Sequence, residues 1–203
     1  MILSRIWGRK MGKYIVLEGI DTTGKSTQIA LLRGRYKNAI FTKEPSGGDF
    51  GTMIRNLALH GSSGDISNLT QTMLFLADRA NHTECVIAPN INAGRLVISD
   101  RSLISGVAYC DSLSFDLALQ VNRAVSKTPD LAVILETNEA ILRSRLSKKE
   151  NDNIESRGLE YLLEVQKRII KTAESLGVKT LKIPCDKPQD EILAMICAEI
   201  NLL

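Results

Sequence analysis

Gly19, Ile20, Asp21, Thr22, Thr23, Gly24, Lys25 and Ser26 follow the spacing G-x-x-x-x-G-K-[ST], in which backbone N–H groups cradle phosphates and the lysine reaches toward them. No other stretch constrains the fold as strongly, because such a loop works only where a buried strand hands over to a helix. Residues 13–18, apolar from Tyr14 to Leu17, are suited to that strand, and residues 27–36 place Ile29, Leu32 and Tyr36 on one helical face. Gly19 and Gly24 allow a tight turn and close approach to a phosphate, while the N-terminus of the helix beginning near Thr27 adds partial positive charge. The Ser26 hydroxyl is placed to hold Mg²⁺ beside the phosphates.

The same strand-then-helix alternation continues along the chain. Residues 39–42, 95–99, 131–135 and 178–183 read as further short apolar strands. Helical patterns cover 50–60, 66–92 with a break or bend near Pro89, 103–109, 115–127, 138–146, 155–176 and 188–202. Five such strands predict an α/β fold of the P-loop NTPase type, a parallel sheet covered by helices on both faces. Ligands of such sheets lie beyond the carboxyl ends of the strands. That rule gathers the glycine loop, residues 43–48, residues 100–102 and residues 136–138 on one rim. With 203 residues, 44% of them hydrophobic, the chain can bury one sizeable core, and residues 11–203 are expected to form a single domain.

Charge and cysteine usage narrow the partners. The net charge is +3, from 26 basic and 23 acidic residues. Arg5, Arg9 and Lys10 fall in an acid-free opening, so residues 11–203 are balanced at 23 of each sign. Bulk charge therefore gives no argument for nucleic acid or a membrane as partner. Residues 1–10 lack the apolar core of a signal peptide and are expected to be a dispensable extension. Cys85, Cys110, Cys185 and Cys197 form no C-x-x-C pair, which suggests neither zinc nor a disulfide framework and fits a cytoplasmic location.

Asp100, directly after the strand at 95–99, has the position of an acid that orients Mg²⁺. Arg101 beside it offers a planar fork for phosphate oxygens. An Asn-Lys-x-Asp guanine element and the protein-kinase loops are both absent from the sequence. From Lys13 onward the chain resembles the thymidylate kinases, which phosphorylate dTMP from ATP. The likeness rests on Glu18 to Asp21 with Lys25 to Gln28, on Thr42-Lys43-Glu44-Pro45, on Leu74 to Ala80 with His82, and on Asp100-Arg101-Ser102. Neutral residues at Thr22 and Thr23 make it similar to the bacterial type, which draws its catalytic cation from a lid.

What the resemblance implies is specific. ATP with Mg²⁺ would occupy the loop from Gly19 to Thr27, with Lys25 catalytic and Ser26 and Asp100 toward the metal. Asp21 would also accept a hydrogen bond from the 3′-hydroxyl of dTMP, and Arg55 and Arg101 would hold its phosphate. On the dTMP side, Lys43 stands where the family usually has arginine, and Glu44 in the Glu-Pro turn would shape the site or help the metal, a purely structural turn being the alternative. Phe75 and Arg79, four residues apart on a helix, would stack on the pyrimidine and donate to its O4. Ser105 belongs to the dTMP side, and Tyr109 falls where the family crowds the sugar's 2′ position. The lid is expected at about 143–155, with the catalytic cation open among Arg143, Arg145, Lys148 and Lys149. Asn153 departs from the usual lid pattern, and Ser102 replaces a common aromatic residue, which predicts a looser pocket wall. A homodimer is implied. Other nucleotide or deoxynucleoside kinases, and a non-catalytic P-loop switch, are the alternatives.

Overall fold

A computed structural model describes residues 11–60, 66–146 and 158–203. The expected extension at 1–10 and the outer lid, with Lys148, Lys149 and Asn153, lie outside the described residues. Five parallel strands, β1 (Tyr14–Glu18), β2 (Ile40–Lys43), β3 (Val97–Asp100), β4 (Leu131–Glu136) and β5 (Lys179–Pro184), form one sheet in the order β2-β3-β1-β4-β5.

The reason for a sheet covered on both faces is visible in β1. Its side chains alternate, Tyr14 and Val16 entering one core, Ile15 and Leu17 the other, and all four are buried. In β4, Ala132 and Ile134 join the first core while Leu131, Val133 and Leu135 join the second. The second core is closed by α1 (Lys25–Arg35) and α9 (Gln189–Asn201), through Ile29 and Leu32 and through Ile192, Ile196 and Ile200. The first is closed by α5 (Leu103–Ala108) and α8 (Leu159–Ser175), among others, through Ile104, Leu162, Val165 and Ile169. Each large aliphatic side chain so buried contributes about 1.5–3 kcal/mol, so a charge placed at Val133 would disrupt the second core.

The remaining helices frame the rim. They are α2 (Gly48–Arg55), which continues into a widened turn at Asn56–His60, α3 (Asn68–His82), α4 (Ala88–Asn92), α6 (Phe115–Val125) and α7 (Glu139–Leu146). The long helix expected over 66–92 does run through, but Thr83–Ile87 is a π-type turn and Pro89 sits in the first turn of α4. Proline has no amide hydrogen and its ring collides with the carbonyl four residues earlier. The helix relieves both by widening one turn ahead, as π-type turns do elsewhere. The helix expected from residue 155 begins in α8 at Leu159 among the described residues.

Candidate active site

The carboxyl ends of the strands converge as expected. The amide of Arg101 donates to the Leu17 carbonyl at 2.9 Å, that of Glu44 to the Asp100 carbonyl at 2.9 Å, and that of Cys185 to the Glu136 carbonyl at 2.8 Å. These bonds join the ends of β2, β3 and β1 and, separately, those of β4 and β5, and the pairing of β1 with β4 up to Glu18 and Ile134 links the two groups.

The glycine loop leaves β1 at Gly19, φ +141°, where a Cβ would stand 2.7 Å from the Leu135 carbonyl oxygen. Only glycine fits there. Thr22 takes the left-handed region at φ 67° and Gly24 does so at φ 95°. The Thr23 hydroxyl ties the turn by donating to the Ile20 carbonyl at 2.8 Å. Serine side chains cap α3, α5 and α6, whereas α1 starts from Gly24 with no side-chain cap. Its first N–H groups and dipole are thus directed at the loop's interior, the arrangement suited to an anion. Ser26 and Thr27 are exposed in that first turn.

Lys25 folds over the loop, its ammonium donating to the carbonyls of Gly19 at 2.8 Å and Ile20 at 2.9 Å, with Asp21 Oδ1 at 3.9 Å. Burial and then the Arg101 charge push its pKa down to about 8, against the pull of Asp21, Asp100 and Glu18. Asp100 Oδ1 is buried and has no hydrogen-bond partner among the described residues. A buried, unpaired carboxylate oxygen is costly, and a Mg²⁺ ion nearby would remove that cost. Among the described residues no group of three His, Cys, Asp or Glu could hold a metal. Mg²⁺ ordinarily binds through one or two protein ligands, waters and substrate phosphates.

Arg101 adopts φ 70°, a conformation that costs a bulky residue about 1–2 kcal/mol, and it is over-determined. Its carbonyl accepts from the Ser99 hydroxyl at 2.7 Å. Its guanidinium donates to Asp21 Oδ1 at 2.8 Å, Ser105 Oγ at 3.0 Å and the Gly19 carbonyl at 3.2 Å, and lies 5.1 Å from the Tyr109 ring centroid. Burial works against its charge, but Tyr109, Asp21, Glu18 and Asp100 more than offset it and hold Arg101 firmly protonated. The strained backbone aims this cation back over the loop.

Beyond Arg101 opens a cavity of about 210 Å³. Asp21, Glu44, Arg55 and Phe75 line it, as do Arg79, Arg101, Ser105 and Tyr109. Sequence reasoning grouped all eight. Lys43, by contrast, is exposed at the end of β2 and does not line the cavity. The side chains of a strand alternate between faces, and Lys43 is turned away where Glu44 is turned in. The Tyr109 hydroxyl is buried without a hydrogen-bond partner among the described residues, and burial drives its pKa up to about 12.

Ser102 lines the cavity. It is fully buried, caps α5 by accepting from the Ile104 amide at 3.1 Å, and donates to Glu18 Oε1 at 2.6 Å. Glu18 Oε2 accepts from Ser105 at 2.5 Å. Burial raises the pKa of Glu18, while the two hydroxyls and Arg101 oppose the rise. A phenylalanine at position 102 would remove one of the two hydroxyl donors to this carboxylate.

Among the cavity residues that escaped the sequence reading are Thr72, Gly106 and Asn122. Asn122 had a usable signal, a polar side chain one turn after Ala118 on the buried face of α6. His82 and Asp78 are buried polar supports. His82 Nε2 is 2.6 Å from Thr42 Oγ1 and its Nδ1 3.3 Å from Glu44 Oε1, and Asp78 Oδ2 accepts from the Ser46 amide at 2.7 Å.

On the opposite side of the loop, Arg145 donates to the Thr22 carbonyl at 2.8 Å and to the Cys185 carbonyl at 3.0 Å. Arg143 instead pairs with Glu139 at 2.9 Å on the outer surface of α7, where both side chains are mostly exposed. Of the lid cations among the described residues, only Arg145 reaches the loop.

A phosphate loop with a separate, base-sized acceptor cavity on the same rim, bridged by one arginine, defines a P-loop kinase of the nucleoside-monophosphate type. The family profile described as Thymidylate kinase matches residues 17–196. A thymidylate kinase of Helicobacter hepaticus is 42% identical over 195 residues, spanning 94% of this chain and 99% of that protein. That of Wolinella succinogenes is 46% identical over 181 residues, spanning 88% and 93%, and that of Aliarcobacter butzleri is 42% identical over 191 residues, spanning 93% and 99%. The chain belongs to the thymidylate kinase family.

Proposed function

We propose that this protein transfers the γ-phosphoryl group of ATP to dTMP, yielding ADP and dTDP. The observation that carries the reading is the Arg101–Asp21 pair, which joins the loop to a cavity walled by Phe75 and Arg79. ATP lies along residues 19–27, with Lys25 turning from the loop carbonyls to the β- and γ-phosphates. Ser26 and Asp100 hold Mg²⁺, which when bound neutralises charge on the transferring group. Arg101, and Arg55 at the cavity mouth, grip the phosphate of dTMP. Asp21 shares its carboxylate between Arg101 and the 3′-hydroxyl.

Phe75 stacks on the pyrimidine and Arg79 presents only donors to it, so a 4-oxygen is accepted and the 4-amino group of cytosine is opposed. Tyr109 fills the space beside the sugar. The acceptor phosphate attacks in line, and no covalent intermediate on the protein is needed, because catalysis here is positioning and charge stabilisation. Arg145 supplies a further cation at the loop.

Two copies of the chain are the assembly this reading favours. Phe50, Met53 and Leu57 on α2 and its continuation, and Leu69 and Met73 on the adjoining α3, are exposed, an apolar face that a second copy would cover. The protein acts in the cytoplasm, and no helix among the described residues is long and apolar enough to cross a membrane.

ADP formation measured across nucleoside monophosphates tests the reaction. Turnover is expected with dTMP, weaker turnover with dUMP, and little with dCMP or thymidine. Slow ATP hydrolysis indifferent to dTMP would indicate a nucleotide switch instead.

A further inference from the structure

Gly106 lies inside α5, where glycine is the poorest helix former after proline, and its φ is not in the left-handed region. The backbone therefore gives no reason for a glycine. Space does. A Cβ at this position would stand 2.5 Å from Arg79 Nη1 and 2.6 Å from both Cζ and Nη2. Three nearly equal distances mean that a methyl group would press on the face of the guanidinium.

That guanidinium has little freedom to retreat. Its Nε donates to Glu44 Oε2 at 2.7 Å and its Nη1 to Asn122 Oδ1 at 2.6 Å. Asn122 is itself fixed, its Nδ2 donating to the Ala118 carbonyl at 2.8 Å, and Glu44 is held on its other oxygen by His82. Arg79, Glu44, Asn122 and His82 are all buried. Burial alone would raise the Glu44 pKa, but Arg79 and His82 overcome it and keep the carboxylate charged. Among the described residues only Nη2 makes no hydrogen bond.

We propose that Gly106 is a specificity-determining residue and Asn122 a positioning residue. The missing side chain at 106 lets Arg79 lie flat on α5, and Asn122 with Glu44 fixes its rotation, so that Nη2 alone faces the 4-oxygen of the pyrimidine. The inference rests on the reading of the cavity as the dTMP site. It adds that base selection is set by a glycine that touches the arginine, and not by the arginine alone.

A double-mutant cycle of Gly106→Ala and Arg79→Lys tests it, read by KM for dTMP and ATP, the dTMP to dCMP preference, and melting temperature. Gly106→Ala is expected to raise KM for dTMP about tenfold through displacement of the guanidinium and to erode the preference over dCMP. KM for ATP and the melting temperature should hold, since alanine favours the helix. In the Arg79→Lys background, with no planar group to displace, the same substitution should change KM for dTMP less than about twofold.

An unchanged KM in Gly106→Ala, or an equal loss in both backgrounds, overturns the proposal. Should Gly106→Ala lower the melting temperature, Arg79→Lys must restore it, and failure to do so also overturns it. The unsubstituted protein reports separately on the underlying reading. Absence of any dTMP preference there would refute the assignment of the cavity, whatever the cycle shows.

Discussion

Arg145 Nη1 donates to the carbonyl oxygen of Thr22 at 2.8 Å, so a side chain from the last turn of α7 is fastened to the phosphate-binding loop. The contact separates two arginines that stand two residues apart in sequence. Arg145 is half-buried between the loop and Cys185, while Arg143 is exposed on an i,i+4 pair with Glu139.

Arg145→Ala is accordingly expected to lower kcat by about 10³-fold, the scale of an arginine acting on a transferring phosphoryl group. Arg143→Ala should change kcat less than about twofold, because an exposed helix pair contributes little. Steady-state kinetics of the two variants decide the matter. A collapse at Arg143 with Arg145 spared would reverse the assignment.

Lys25 gives a pH dependence with a definite sign. Its folded pKa of about 8 lies below the ordinary 10.5, so the free protein loses this charge as pH rises through 8. KM for ATP should rise between pH 7 and 9, and binding of ATP at pH 8 should take up protons, seen as a buffer-dependent enthalpy. Lys25→Met should abolish the proton uptake together with catalysis. The same depressed pKa means that charged Lys25 destabilises the fold below pH 8 and that this penalty is relieved across pH 8 to 10.5, where the unfolded chain binds the extra proton. ATP affinity that is flat from pH 7 to 9 would contradict the buried, poorly solvated lysine.

Much of this molecule was legible in its sequence, for identifiable reasons. The apolar runs of β1 and β4 had to be buried on both faces, and Gly19 and Gly24 sit where the backbone demands them. Phe75 and Arg79 share a helical face by spacing alone. What was not legible depends on tertiary neighbours. The bond from Ser102 to Glu18 joins residues 84 positions apart. Gly106 reads as an unremarkable helix residue until Arg79 from α3 is laid against it. Lys43 and Glu44 are adjacent in sequence, and only the turn of the chain at the end of β2 decides which of them meets the cavity.

The most direct test of direct phosphoryl transfer between two sites on one rim follows the γ-phosphate itself. With γ-labelled ATP and dTMP, the label should appear in dTDP at the rate of ADP formation, with none retained on the protein. Label released as inorganic phosphate without dTDP, or held covalently on the protein, would contradict the account.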